Sequence, residues 1–175
     1  MRYRVGVIGL IGVAGLCVGT SLLACGDKFL VAGRGARFQR GNARTTVLIY
    51  APPSSALTGD LGNLSIDHVL SRAGYHAAVA ASAEELGRIL KDSAPGIVLV
   101  DIADARTVEK LVPAGSPGPV ILPVLSNASR QEVATARKTW GVALKSPASG
   151  DSLLDAVDEA VDLHAKARKA ANPRI

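Results

Sequence analysis

From Thr45 onward, short runs of consecutive apolar residues alternate with segments whose apolar residues recur every three or four positions. A run that is apolar at every position suits a strand buried on both faces. The helical period between runs supplies the layers that cover it. The alternation repeats five times before Ala165. The architecture it implies is α/β, a single (βα)5 doubly wound parallel sheet with helices on both faces.

Taken in order, Thr45 to Tyr50 is the first strand, and a Pro/Ser/Gly loop is expected from Pro52 to Gly62. Leu64 to Ala73 is helical, with Ile66, Val69, Leu70 and Ala73 on one face and Gly74 as its stop. His76 to Ala80 is the second strand. Ser82 and Glu85 have capping-box spacing and open a helix with Leu86, Ile89 and Leu90 inward. Pro95-Gly96 breaks that helix, and Ile97 to Ile102 is the third strand. A less regular helix follows over Ala103 to Leu111, then a turn-rich break over residues 113–119. Val120 to Leu125 is the fourth strand, with Pro123 awkward for an interior ladder. Ser129 and Glu132 repeat the capping-box spacing, with Val133, Ala136 and Trp140 on one face and Gly141 at the end. Val142 to Leu144 is expected as the fifth strand. Gly150-Asp151 opens a long helix that aligns Leu153, Leu154, Val157, Ala160, Val161 and His164.

Ahead of this domain stand Arg2 and Arg4, then an uncharged apolar run from Val5 to Leu23 that ends in Leu22-Leu23-Ala24-Cys25. A positive start, an apolar middle and small residues at the end form the pattern of a secretory signal. The terminal tetrad resembles the lipobox of bacterial lipoproteins. That resemblance implies cleavage between Ala24 and Cys25, a diacylglycerol thioether and palmitate-type acylation at Cys25, and a domain outside the cytoplasm, held at the cell envelope. The competing reading is an uncleaved anchor, since Val5 to Gly26 is long enough to cross a bilayer core. The expected division is a signal peptide over 1–24, a basic tether over 25–44, the domain over 45–165 and a basic tail over 166–175.

Composition narrows the classes. Only 3% of residues are aromatic while 48% are apolar, so Val, Leu, Ile and Ala must build the core. Cys17 falls inside the signal and Cys25 at its end, which leaves the domain no disulfide. His68, His76 and His164 stand apart, so no metal site is expected. The formal net charge of +5 hides a split. Lys28, Arg34, Arg37, Arg40 and Arg44 face only Asp27 in the tether, whereas residues 45–165 hold nine Lys/Arg against fourteen Asp/Glu, a net of −5. Lys166, Arg168, Lys169 and Arg174 then follow. A nucleic-acid binder would cluster its cations on the fold, so nucleic acid is not an expected partner. Gly33-Arg34-Gly35 fails as a dinucleotide fingerprint, because Phe38 stands where its third glycine belongs.

The element order, the Ile97-Val98-Leu99-Val100-Asp101 strand and the Ser146-Pro147 turn together resemble the receiver domain of bacterial response regulators, a flavodoxin-like module. The likeness covers roughly Thr45 to Ala165. It implies that Asp101 is the candidate phosphoacceptor, with Ser126 and Lys145 as candidate switch residues. In that family Mg2+ is held by two acidic residues just after the first strand. Those places fall at about Ala51 and Pro52, and neither is a carboxylate. Asp60 lies farther along the loop. Counting from the fifth strand puts Lys145 in the family's Lys position, and counting back from Leu153-Leu154 puts Ser146 there. The usual phosphoryl donors are cytoplasmic kinases, a poor match for an exported domain.

The expected function is therefore a non-catalytic protein-interaction module on a lipid anchor, a pseudo-receiver binding an envelope protein through Val133 to Ala165. Neither enzymatic activity nor a cofactor is expected, and Mg2+ is not. Two alternatives stand beside it. One is a working receiver phosphorylated on Asp101 in a cytoplasmic domain. The other is a flavodoxin-like domain that binds a small ligand through Ser54, Ser55 and Asp101, at the loops that follow the strands. A hydrolase is not supported, since Ser54-Ser55, Asp60 and His68 come without a Gly-x-Ser-x-Gly elbow. His68 reads as a surface or packing residue, and Trp140 as a core or helix-end contact.

Overall fold

The computed structural model describes residues 45–62, 65–113 and 117–172, without the side chains of 60–62. The signal-like segment, Cys25 and the basic tether lie outside the described residues. Strands β1 (Thr46–Tyr50), β2 (His76–Ala80), β3 (Ile97–Asp101), β4 (Val120–Ser126) and β5 (Leu144–Ser146) form one parallel sheet. Their order is β2-β1-β3-β4-β5. Helices α1 (Ala56–Gly62), α2 (Ile66–Arg72), α3 (Ala83–Ser93), α4 (Ala105–Leu111), α5 (Arg130–Trp140) and α6 (Gly150–Ala171) fill the crossovers and close the chain.

Every residue of β3 is buried, as a central strand covered on both faces requires. Alternate residues feed two cores. Val47, Ile49, Ile97, Leu99, Leu122, Val124 and Leu144 pack with Leu57 of α1, Ile66 and Leu70 of α2, and Leu153 and Val157 of α6. Leu48, Val98, Val100 and Ile121 pack on the other face with Leu86 and Leu90 of α3 and Val108 of α4. Removing a fully buried Leu or Val from water contributes about 1.5–3 kcal/mol, so these small side chains supply the stability that aromatic rings would elsewhere.

The helix ends follow local chemistry. Ser129 caps α5 through a complete capping box, its Oγ accepting from the Glu132 N–H while Glu132 accepts from the Ser129 N–H. The box at α3 is shifted: Ser82 Oγ accepts from the Glu85 N–H, but the Glu85 carboxylate reaches the Ala81 N–H. At the end of α2, Gly74 adopts φ 87, and the N–H groups of Gly74 and Tyr75 donate back to Ser71 and Leu70. This is the Schellman closure that a residue without Cβ permits.

Three expectations need correction. The segment Pro52 to Gly62 is not all loop, because Ser55 Oγ accepts from the Leu57 N–H and starts α1, which buries Leu57. The fifth strand is Leu144–Ser146 rather than Val142 to Leu144. Val142 and Ala143 are buried at 0% and 3% exposure but precede the ladder, so their apolarity marks packing and not pairing. The last helix, opened as expected at Gly150, runs to Ala171. Pro123 proves compatible with an interior strand. Val120 donates to Gly96 and Val124 accepts from Ile102, so the even-numbered residues bond toward β3 and Pro123 turns toward β5. The ladder with β5 begins only at Val124, and no donor is missed.

Candidate functional site

In a doubly wound sheet the crevice outside the C-terminal ends of the strands is where chemistry collects. Asp101 sits there, at the last position of β3, and is only 8% exposed. Its Oδ1 accepts from the Ala103 N–H at 2.9 Å, and its carbonyl accepts from Asp104 N–H at 3.0 Å. The carboxylate thus shapes the turn into α4 as well as facing the crevice.

Residues in register across a parallel ladder point to the same face, and one step along a strand reverses the face. Asp101 is in register with Val124, Val124 with Leu144, and Ser126 with Ser146. Asp101, Ser126 and Ser146 therefore share one face. Lys145 is in register with Leu125, is exposed and belongs to the opposite face. By register Ser146, and not Lys145, leaves the sheet on the face of Asp101. Ser146, 1% exposed, occupies the place immediately before Pro147.

The remaining landmarks of the crevice are uncharged. Ala51 follows β1 and donates its N–H to Ala80 at 3.0 Å, and Pro52 accepts from the Ser55 N–H at 2.8 Å. The donor set does not fit a divalent cation: Asp101 supplies a carboxylate, but Ala51 and Pro52 supply none. Among the described residues, no group of three or more His, Cys, Asp or Glu could hold a metal ion. Asp60 falls within α1, and its side chain lies outside the described residues. Ser54 is exposed, Ser55 is engaged at the start of α1, and His68 is exposed on α2.

Trp140 is the last residue of α5. The Arg106 guanidinium stacks over its ring, 5.0 Å from the centroid, and its Nε1 is buried without a hydrogen bond among the described residues. Sequence reading identified Trp140 as a helix-end contact but gave no sign of the Arg106 partner, because the two lie on different helices. The same applies to the Tyr75 hydroxyl, which donates to Asp158 Oδ1 on α6.

The order β2-β1-β3-β4-β5, all parallel and covered on both faces, defines a flavodoxin-like fold. Its particular version is that of response-regulator receiver domains. The chain is similar to NtrX from Brucella abortus, whose structure was determined in complex with ADP, at 17% identity and a TM-score of 0.59. That match covers 75% of this chain and 29% of that one, so this chain spans less than a third of NtrX. A response regulator from Thermotoga maritima matches at 16% identity and a TM-score of 0.52, over 69% of this chain and 99% of that one. A CheY-like response regulator receiver domain protein from Methanospirillum hungatei matches at 19% identity and a TM-score of 0.51, over 71% and 98%. No protein-family model and no curated protein matches the sequence. At these identities the likeness establishes the receiver-like fold.

Proposed function

We propose that this protein is a membrane-anchored pseudo-receiver, lipidated at Cys25, whose domain binds a protein partner in the cell envelope without catalysis. The observation that carries the reading is the make-up of the Asp101 crevice. Phosphorylating a carboxylate brings together negative oxygens that a metal ion and a cation must neutralise. On the face of Asp101 the ladder positions hold Ser126 and Ser146, and the chain after β1 holds Ala51 and Pro52. The partner surface in this reading is Val133 to Ala165, comprising most of α5, all of β5 and most of α6. Arg137 of α5 and Glu159 of α6 tie that surface together at 3.1 Å.

The anchoring half of the proposal rests on the Leu22-Leu23-Ala24-Cys25 tetrad and its flanks. Intact mass of the membrane-extracted protein tests it. The expected species begins at an acylated Cys25, and Cys25→Ser is expected to abolish both processing and acylation. An unprocessed chain starting at Met1 would sink the lipoprotein reading.

A phosphorylated receiver is the second reading, favoured by Asp101 and Ser126 sharing a face at the strand ends. Beryllofluoride with Mg2+ separates the two. The pseudo-receiver is expected to show no change, and a shift abolished by Asp101→Asn would establish the second reading instead.

A further inference from the structure

Each of the helices α2 to α6 runs antiparallel to the sheet, so their C-terminal ends gather at the end of the domain opposite Asp101. The last turns carry Lys91 on α3, Lys110 on α4, Lys138 on α5, and Arg168 and Lys169 on α6, all exposed. The first turns, at the Asp101 end, carry Asp67, Glu84, Glu85, Glu132 and Asp151 against Arg106 and Arg130, a net negative balance. Each of these carboxylates and each last-turn cation singly complements a helix dipole. Because the helices point the same way, the preferences add, and a domain of net negative charge acquires one basic end. Two carboxylates near that end are already paired, Asp92 with Arg88 at 3.8 Å and Glu109 with Arg106 at 3.0 Å.

Dipole pairing does not account for the length of α6. Its last residue that is not exposed is His164, whose ring lies within 3.4–3.6 Å of a Cβ built on Gly96. Beyond it, residues 165–171 continue as helix with every residue exposed, and they include Lys166, Arg168 and Lys169. The same Gly96 site is crowded by Thr45 Cγ2. The chain therefore enters the domain beside the foot of this basic projection.

We infer that the basic end, led by Lys166, Arg168 and Lys169, docks on an anionic lipid bilayer. The inference rests on the membrane anchoring proposed above, which brings the chain to Thr45 from the bilayer side. Residues 26–44 allow at most about 65 Å of reach, whereas charges act within a Debye length of about 8 Å, so the tether alone sets no orientation. Opposite charge does, since basic residues beside a membrane are drawn to anionic head groups. Docking leaves the acidic Asp101 end pointing away from the bilayer.

Hydrogen exchange of the full-length protein on vesicles tests this, with phosphatidylcholine alone compared against phosphatidylcholine with phosphatidylglycerol. The amides of residues 165–171 are expected to exchange about tenfold more slowly on the anionic vesicles, with the slowing lost in roughly 0.5 M salt. Lys166→Gln/Arg168→Gln/Lys169→Gln should abolish the slowing, and Lys145→Gln at the far end should leave it intact. Equal exchange on both vesicles, with the protein floating with both, overturns the docking alone. Failure to float with either overturns the anchoring and the docking with it. Slowing by soluble polyglutamate but not by anionic vesicles assigns the face to an acidic protein and overturns the lipid assignment.

Discussion

Ser126 stands directly across from Ser146 in the β4–β5 ladder, on the same side of the sheet as Asp101. Lys145, one residue earlier, points the other way and is exposed. A one-residue difference along a strand thus separates a crevice with a cation from a crevice lined by hydroxyls.

If missing charge is what silences the crevice, charge should restore cation binding. Ala51→Asp/Pro52→Asp/Ser146→Lys is expected to gain a Mg2+-dependent rise in stability, about 1.4 kcal/mol at ten times its dissociation constant. The wild type should show none. Thermal melts with and without Mg2+ check both proteins, and an equal response would refute the account.

Tyr75 links the start of β2 to α6 through Asp158. Tyr75→Phe leaves that carboxylate without the phenol and is expected to cost about 1–2 kcal/mol in urea unfolding. Burial first, then Asp158 and Asp162, push the phenol well above its ordinary pKa of 10.0. A raised folded-state pKa stabilises the fold fully below the unfolded value. Stability is therefore expected to decline above about pH 10, and Tyr75→Phe should flatten that alkaline limb.

His164 has the opposite sign. Burial, and secondarily Arg168, lower its pKa below 6.5, while the Gly118 carbonyl works the other way. The folded state then holds the neutral ring, and its contribution is complete above the unfolded value. Stability is expected to fall as pH drops below about 6.5, and denaturant midpoints between pH 7.5 and 5 should show a smaller slope in His164→Gln.

Gly96→Ala probes the junction of Thr45, β3 and α6. The added Cβ would sit 2.7 Å from Thr45 Cγ2 and 3.4 Å from His164 Cδ2. Thr45 must shift while the His164 ring is at ordinary contact distance, and the expected cost is about 1–3 kcal/mol in urea unfolding. A neutral result would show that Thr45 moves aside freely.

Much of this architecture was legible because local signals agreed. Ile97 to Asp101 combines β-branched apolar residues with flanking breakers, and Ser129 with Glu132 caps α5 as their spacing suggests. The helix α1 escaped because Pro52, Pro53, Ser54 and Ser55 read as a turn, and Gly59 and Gly62 lower helix propensity just after it. Leu57 alone carries too short a period to reveal a buried face. The fifth strand was misplaced by two residues because burial and ladder pairing are different properties, and Val142 and Ala143 have only the first. That displacement is what left Lys145 and Ser146 undecided in the crevice. Asp101 itself was legible from its position at the end of a fully apolar strand. The contacts of Arg106 with Trp140 and of Tyr75 with Asp158 were not, because distant segments supply the partners.

β1, the first strand to follow Thr45, is hydrogen-bonded on both flanks, to β2 and to β3. A pull applied at Thr45 along the length of that strand loads two parallel ladders at once. The backbone bonds must then yield together by sliding, whereas an edge strand pulled from its side would peel open one bond at a time. Force applied at Thr45 would thus meet a mechanically sheltered strand, while the least-laddered strand, the three-residue β5, stands at the free edge of the sheet.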